Sequence, residues 1–182
     1  MPLPPPPLPR EELHLRQIEV RGYRRSDGLY EIDARVTDTK SQPLQLKSSS
    51  TTLPAGAPLH DMWIRVLLDE ELIVHDIVAC TDASPYPVCP EATSTLAQLK
   101  GLRIGGGFGR VVRERLSGAQ GCTHLTELLV PLATTAFQTL SPVRNAKPER
   151  LDKNGKPVKI DSCYAYASTR ELVRTHWPAF YK

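Results

Sequence analysis

Several things are scarce in this chain of 182 residues, and each absence narrows its function. No apolar run reaches the roughly 18 to 20 residues needed to cross a bilayer, so a membrane role is not expected. The first residues, Met-Pro-Leu-Pro-Pro-Pro-Pro, lack the basic and apolar regions of a signal peptide, which predicts a cytoplasmic protein. Charge of one sign is also scarce: 23 basic against 20 acidic residues leave a net charge of +3, too little for a dedicated nucleic-acid surface. There is no CxxC pair, no HExxH and no histidine-rich box, so any metal site must be assembled from residues distant in sequence. The four cysteines, Cys80, Cys89, Cys122 and Cys163, would be thiols in a reducing compartment, open to ligation or nucleophilic chemistry.

The remaining composition is that of a globular domain, with 40% hydrophobic and 24% charged residues. Residues 1–12 form a proline-rich tail, 13–168 one α+β domain, and 169–182 a terminal helix or tail. Within residues 14–37, apolar and polar positions roughly alternate on either side of Ser26-Asp27-Gly28, which predicts a β-hairpin. Residues 40–58 are Ser, Thr, Pro and Gly rich and predict a long loop. A second hairpin is expected from strands over 62–68 and 72–80. Prolines 85, 87 and 90 then predict a rigid loop, followed by a short helix over 91–99. Helical spacing marks Phe108, Val111, Val112 and Leu116, and the continuous apolar stripe from Leu125 to Leu140 marks a long helix over 123–140 that Pro131 should bend. A surface loop over 142–159, an edge strand over 160–167 and a short helix over 169–176 complete the reading. The fold class expected is an antiparallel sheet of about four strands covered by C-terminal helices.

Three segments could carry chemistry. The first is Gly121-Cys122-Thr123-His124-Leu125-Thr126-Glu127 at the head of the long helix, where unpaired amides and the helix dipole lower a thiol's pKa. Cys122 and His124 are therefore candidate catalytic residues, or a buried thiol and a packed ring. Glu127 stands one position too far along for a capping box, needs another role and is the third catalytic candidate. The second is Asp82-Ala-Ser-Pro-Tyr86-Pro-Val-Cys89-Pro, with Cys89 held between prolines and Asp82 and Tyr86 placed to touch a substrate. The third is His60-Asp61. Adjacent residues on a strand face opposite ways, so one of the two should face a site. Arg24 and Arg25 are candidates for holding a small anionic ligand. Gly105-Gly-Gly-Phe-Gly lacks the Lys-Ser/Thr of a phosphate loop and reads as a connector into the next helix.

Residues 23–35, 81–90 and 121–129 resemble the bacterial family filed as domain of unknown function 2889, over about residues 13–166. That resemblance implies a bacterial cytosolic protein and no established activity. The chain is also similar to IscU/NifU-type iron–sulfur scaffolds, in which a strand pair, a Cys-rich loop and a final helix headed by a His-Cys pair form the site. This similarity implies a place for Asp61, Cys89 and Cys122, although His60 stands near the position of the first scaffold cysteine and His124 follows Cys122 where the scaffold histidine precedes its cysteine. The leading expectation is a site of His60 or Asp61, Cys89, Cys122 and His124 that binds zinc or iron or handles sulfur, with hydrolytic or lyase activity on a small anionic substrate. One alternative is a metal-free enzyme with Cys122 as nucleophile acting on a small acidic or thioester metabolite. Another is a non-catalytic accessory protein. The expected partner is a small molecule, and the sequence leaves the oligomeric state open, a homodimer included.

Overall fold

The computed structural model describes residues 3–47 and 50–182. They fall into two compact units, 1–140 and 141–182. In the first unit four strands, β1 (His14–Arg24), β2 (Tyr30–Lys40), β5 (Pro58–Leu68) and β6 (Val74–Ala83), form an antiparallel sheet in the order β1-β2-β5-β6. This is the expected α+β class with its two hairpins. The first hairpin turns at Gly28, whose φ of 90° places it in the left-handed region that glycine enters without a steric penalty. A two-residue ladder, β3 (Leu44–Gln45) with β4 (Thr52–Leu53), interrupts the segment expected to be loop; Ser48 and Ser49 within it lie outside the described residues.

Period-two alternation sorts the sheet into two faces. On β2, Tyr30, Ile32, Ala34, Val36 and Asp38 are buried while the residues between them are not, and Met62, Ile64, Val66 and Leu68 repeat the pattern on β5. Helix α2 (Thr123–Thr139) covers this apolar face with Leu125, Leu128, Leu129, Leu132 and Ala136. It includes Pro131, as expected. Its far end approaches β1 closely: a Cβ at Gly22 would lie 1.8 Å from the Thr139 hydroxyl, so only a hydrogen fits there.

The segment expected as a short helix over 91–99 is a 3-10 helix over Cys89–Leu99. Its Ser/Thr run explains the tighter winding, because Thr93, Ser94 and Thr95 each donate a side-chain hydrogen bond to the carbonyl three residues earlier. Helix α1 (Phe108–Leu116) follows the glycine connector, with Gly107 at φ 88° just before it. Among the described residues no helix is long and apolar enough to cross a membrane.

The second unit contains α3 (Ser141–Ala146) and α4 (Glu171–His176) joined by turns. Two expectations are corrected here. Residues 142–159 open with a helix, and 160–167 do not form a strand. Asp161 has φ 66°, its amide binds the Tyr166 carbonyl and its carboxylate accepts from the Ser168 amide, so the chain closes on itself instead of extending. The unit's own anchor is Lys159, whose ammonium pairs with Glu149 and lies 4.6 Å from the Trp177 ring centroid.

Candidate thiol and imidazole site

The core face of the sheet ends in polar residues. Arg16 on β1, Asp38 on β2 and His60 on β5 are direct cross-strand partners, so the sheet's own register sets them in one row. A bulge just beyond Asp38 ends the regular pairing. Asp38 is 1% exposed, and a carboxylate so buried needs donors. Arg16 supplies two, with Nε and Nη2 each 2.8 Å from a different carboxylate oxygen. His60 Nδ1 lies 2.9 Å from Oδ2 and His14 Nε2 3.0 Å from Oδ1. Burial acts to raise the Asp38 pKa, but the Arg16 pair and His60 outweigh it and hold the carboxyl at about 2.

The first turn of α2 closes over this row. His124 stacks on His60, and its Nε2 lies 3.9 Å from Asp38 Oδ2. Its other nitrogen, Nδ1, is 4.0 Å from the sulfur of Cys122, the residue that caps the helix. Glu127, one turn on, binds the remaining Arg16 nitrogen, Nη1. That contact is the role the missing capping box left open. Burial acts to push the Cys122 thiol up; the His124 ring and the backbone amides of Leu125 and His124 more than offset it, leaving the thiol below its ordinary value. His60 is shifted down, first by burial and then by the charge of His124, against the pull of Asp38.

The chain belongs to the family described as protein of unknown function (DUF2889). The family model matches residues 14–138, which include His14, Arg16, Asp38, His60, Cys122, His124 and Glu127. No curated protein and no solved structure matches the chain.

The candidates from sequence are distributed unevenly around this site. Cys122, His124 and Glu127 meet in it, and of the His60-Asp61 pair it is His60 that faces inward. Asp61 points to the opposite face of the sheet, where Arg35 binds both its oxygens at 2.8 and 2.7 Å and lies over the Trp63 ring. Asp82 accepts from the Trp63 indole at 3.1 Å. Cys89 opens the 3-10 helix after β6, half-buried, and Tyr86 is exposed in the preceding loop. Among the described residues the tight group of ligand-type atoms is Asp38, His60 and His124, without Asp61, Cys89 or Cys122. Arg24 and Arg25 sit at the far end of the first hairpin; Arg25 pairs with Asp27 and Glu31. Arg24 is eight strand positions from Arg16, about 26 Å at strand rise.

Sequence reading missed Asp38, Arg16 and His14. A signal existed for Asp38: it continues in phase the apolar row of Ile32, Ala34 and Val36, and a charged residue at a core-facing period is an anomaly that asks for partners.

Proposed function

We propose that this chain is a thiol-dependent hydrolase in which Cys122 is the nucleophile, His124 the base and Asp38 the group that orients His124. The supporting observation is the line of three side chains, Cys122 Sγ to His124 Nδ1 at 4.0 Å and His124 Nε2 to Asp38 Oδ2 at 3.9 Å, with the sulfur at a helix N-terminus. These spacings are looser than working hydrogen bonds, as is common before substrate binds. His124 takes the thiol proton, and the thiolate attacks the carbonyl carbon of an ester or thioester to form a sulfur–carbon bond. The leaving oxygen or sulfur departs with the bonding pair and takes the proton from His124. Water, deprotonated by His124, then adds to the acyl carbon; the carbon–sulfur bond breaks, Cys122 regains a proton and a carboxylate is released. Buried Asp38, fixed by Arg16, stabilises the imidazolium formed in each half of the cycle.

The test is mass spectrometry of the protein mixed with p-nitrophenyl acetate. An acetyl adduct on Cys122 with a burst of p-nitrophenol is expected, and both should disappear in Cys122→Ser and slow in His124→Asn. A burst unaffected by Cys122→Ser would refute the reading.

A metal centre is the second reading, favoured by one atom each of Asp38, His60 and His124 lying within 4.8 Å of one another. Zinc or a single iron suits such a set. It ranks second because both Asp38 oxygens already accept from Arg16, whose positive charge disfavours a cation. An IscU/NifU-like cluster scaffold ranks lower still, since it requires Asp61 and Cys89 beside Cys122. Zinc and iron content of untagged protein separates these from the thiol reading. All four cysteines are free thiols, which fits residence in the bacterial cytoplasm.

A further inference from the structure

Between α1 and the first half of α2 lies a cavity of about 340 Å³, within the usual size range of small-ligand pockets. Phe108, Val112, Leu116 and Leu129 give it apolar walls. Two polar features depart from that background. Thr126 lines the cavity, and its hydroxyl is buried without a hydrogen-bond partner. Arg113 also lines it and has no ion-pair partner among the described residues. The cavity's acidic residue, Glu127, is paired with Arg16. Arg113 is therefore the charged wall residue left for a ligand to meet.

The cavity also reaches the segment that carries the thiol. Thr123, next in the chain after Cys122, is part of its wall. Gly121, just before Cys122, packs so tightly on α1 that a Cβ would lie 2.7 Å from the carbonyl oxygen of Leu116, itself a wall residue. Cys122 is thus flanked on both sides by residues fixed to this cavity.

We infer that the cavity holds the hydrocarbon body of an anionic apolar acyl compound, from the size of a benzoyl to that of a hexanoyl group, with its negative charge at Arg113. This rests on the thiol reading only for the chemistry, since it names the substrate class for Cys122; the binding stands by itself. The substrate class is then a neutral ester or thioester of an apolar acid, and the carboxylate formed when it is hydrolysed is the anion that Arg113 holds.

The experiment uses the full chain carrying Cys122→Ser, titrated with benzoate, hexanoate, benzamide and hexanamide and followed by calorimetry and by amide shifts of α1 and α2. Saturable binding of the acids in the millimolar range is expected, as befits fragments of this size, with the amides about tenfold weaker. Arg113→Gln should bring acids and amides level. Val130→Phe should abolish binding of both; Val130 is 61% exposed, so the larger ring can enter the cavity without disturbing the fold. Gly109→Leu on the opposite wall is the second filling variant, because a Cβ there meets only the end of the Arg113 side chain at 3.6 Å. No saturable binding, amides equal to acids in the Arg113 protein, or full affinity in both filled variants would overturn the inference. Acid binding without any acyl adduct on Cys122 of the unsubstituted protein would leave the cavity assignment intact and remove the thiol mechanism.

Discussion

The rings of His60 and His124 stack with centroids 3.7 Å apart and planes inclined by 31°. Two imidazolium ions at that distance would repel strongly, and the single buried carboxylate nearby, Asp38, already balances Arg16. The charge of His124 accordingly works against protonation of His60.

Stability should follow from the same stack. Burial first, and the charge of His124 second, lower the His60 pKa below its ordinary 6.5, so the unfolded chain binds more protons than the folded one near neutrality. The His60 contribution is fully present above about pH 6.5 and is lost as pH falls toward the lowered folded-state value. Thermal melts across pH 7 to 5 should show the midpoint falling, and His60→Gln should flatten that slope. A slope identical in the variant would place the titrating group elsewhere.

Asp38 adds a separate acid limb. Its pKa of about 2 lies below the ordinary 3.8, so its stabilisation holds above pH 3.8 and disappears as pH falls through about 2. Arg16→Leu, which leaves the carboxylate buried with only histidine donors, should cost about 1 to 3 kcal/mol at neutral pH, less than for a fully buried pair because the Arg16 side chain is a third exposed. Adding Asp38→Leu should recover part of that loss. Urea unfolding of the single and double variants measures both effects.

The architecture could be read from the sequence wherever one period dominated. Period two with a Ser-Asp-Gly turn marked β1 and β2, and the stripe from Leu125 to Leu140 marked α2 within one residue of its end. Reading failed where local hydrogen bonding overrode pattern, as with the Ser/Thr run that winds Cys89–Leu99 as a 3-10 helix and the left-handed Asp161 that folds back residues 160–167. Part of the site was legible: Cys122, His124 and Glu127 gather at the start of α2, where helix chemistry singles them out, and His60 stood out beside Asp61. The rest depends on strand register: that Arg16 and Asp38, and Asp38 and His60, are cross-strand partners is a fact of pairing, not of spacing along the chain.

Reactivity should separate the four cysteines. Cys122 lies below the ordinary thiol value, whereas Cys80 is pushed up by burial and by the nearby charges of Asp82 and Asp61. Iodoacetamide labelling mapped by peptide mass should therefore modify Cys122 at a pH where Cys80 is still silent, with a midpoint below that of an ordinary thiol. His124→Asn removes the largest factor holding the thiol down and should move that midpoint up. An unchanged midpoint would mean that the helix amides alone set the thiol's acidity and that the 4.0 Å contact does no chemical work.

Gly22 gives the last test, because it fixes how α2 lies on the sheet and hence where His124 arrives. A methyl group at Gly22 would fall 1.8 Å from Thr139 Oγ1 and 2.8 Å from Thr139 Cβ, and Thr139 is tied back by its hydroxyl to the Thr135 carbonyl at 2.8 Å. Neither partner can yield without shifting the helix end. Gly22→Ala should thus destabilise the protein by about 1 to 3 kcal/mol, as overpacking does. It should also slow acylation of Cys122 in whatever fraction remains folded, since tilting α2 changes the 3.9 Å approach of His124 to Asp38. Thr139→Gly removes the obstructing side chain and should restore the acylation rate in the double variant, even though a helical glycine lowers stability by up to about 1 kcal/mol. Loss of stability with an unchanged acylation rate in Gly22→Ala would show that the first turn of α2 is positioned by its own contacts with Arg16 and Asp38, independently of the distant end.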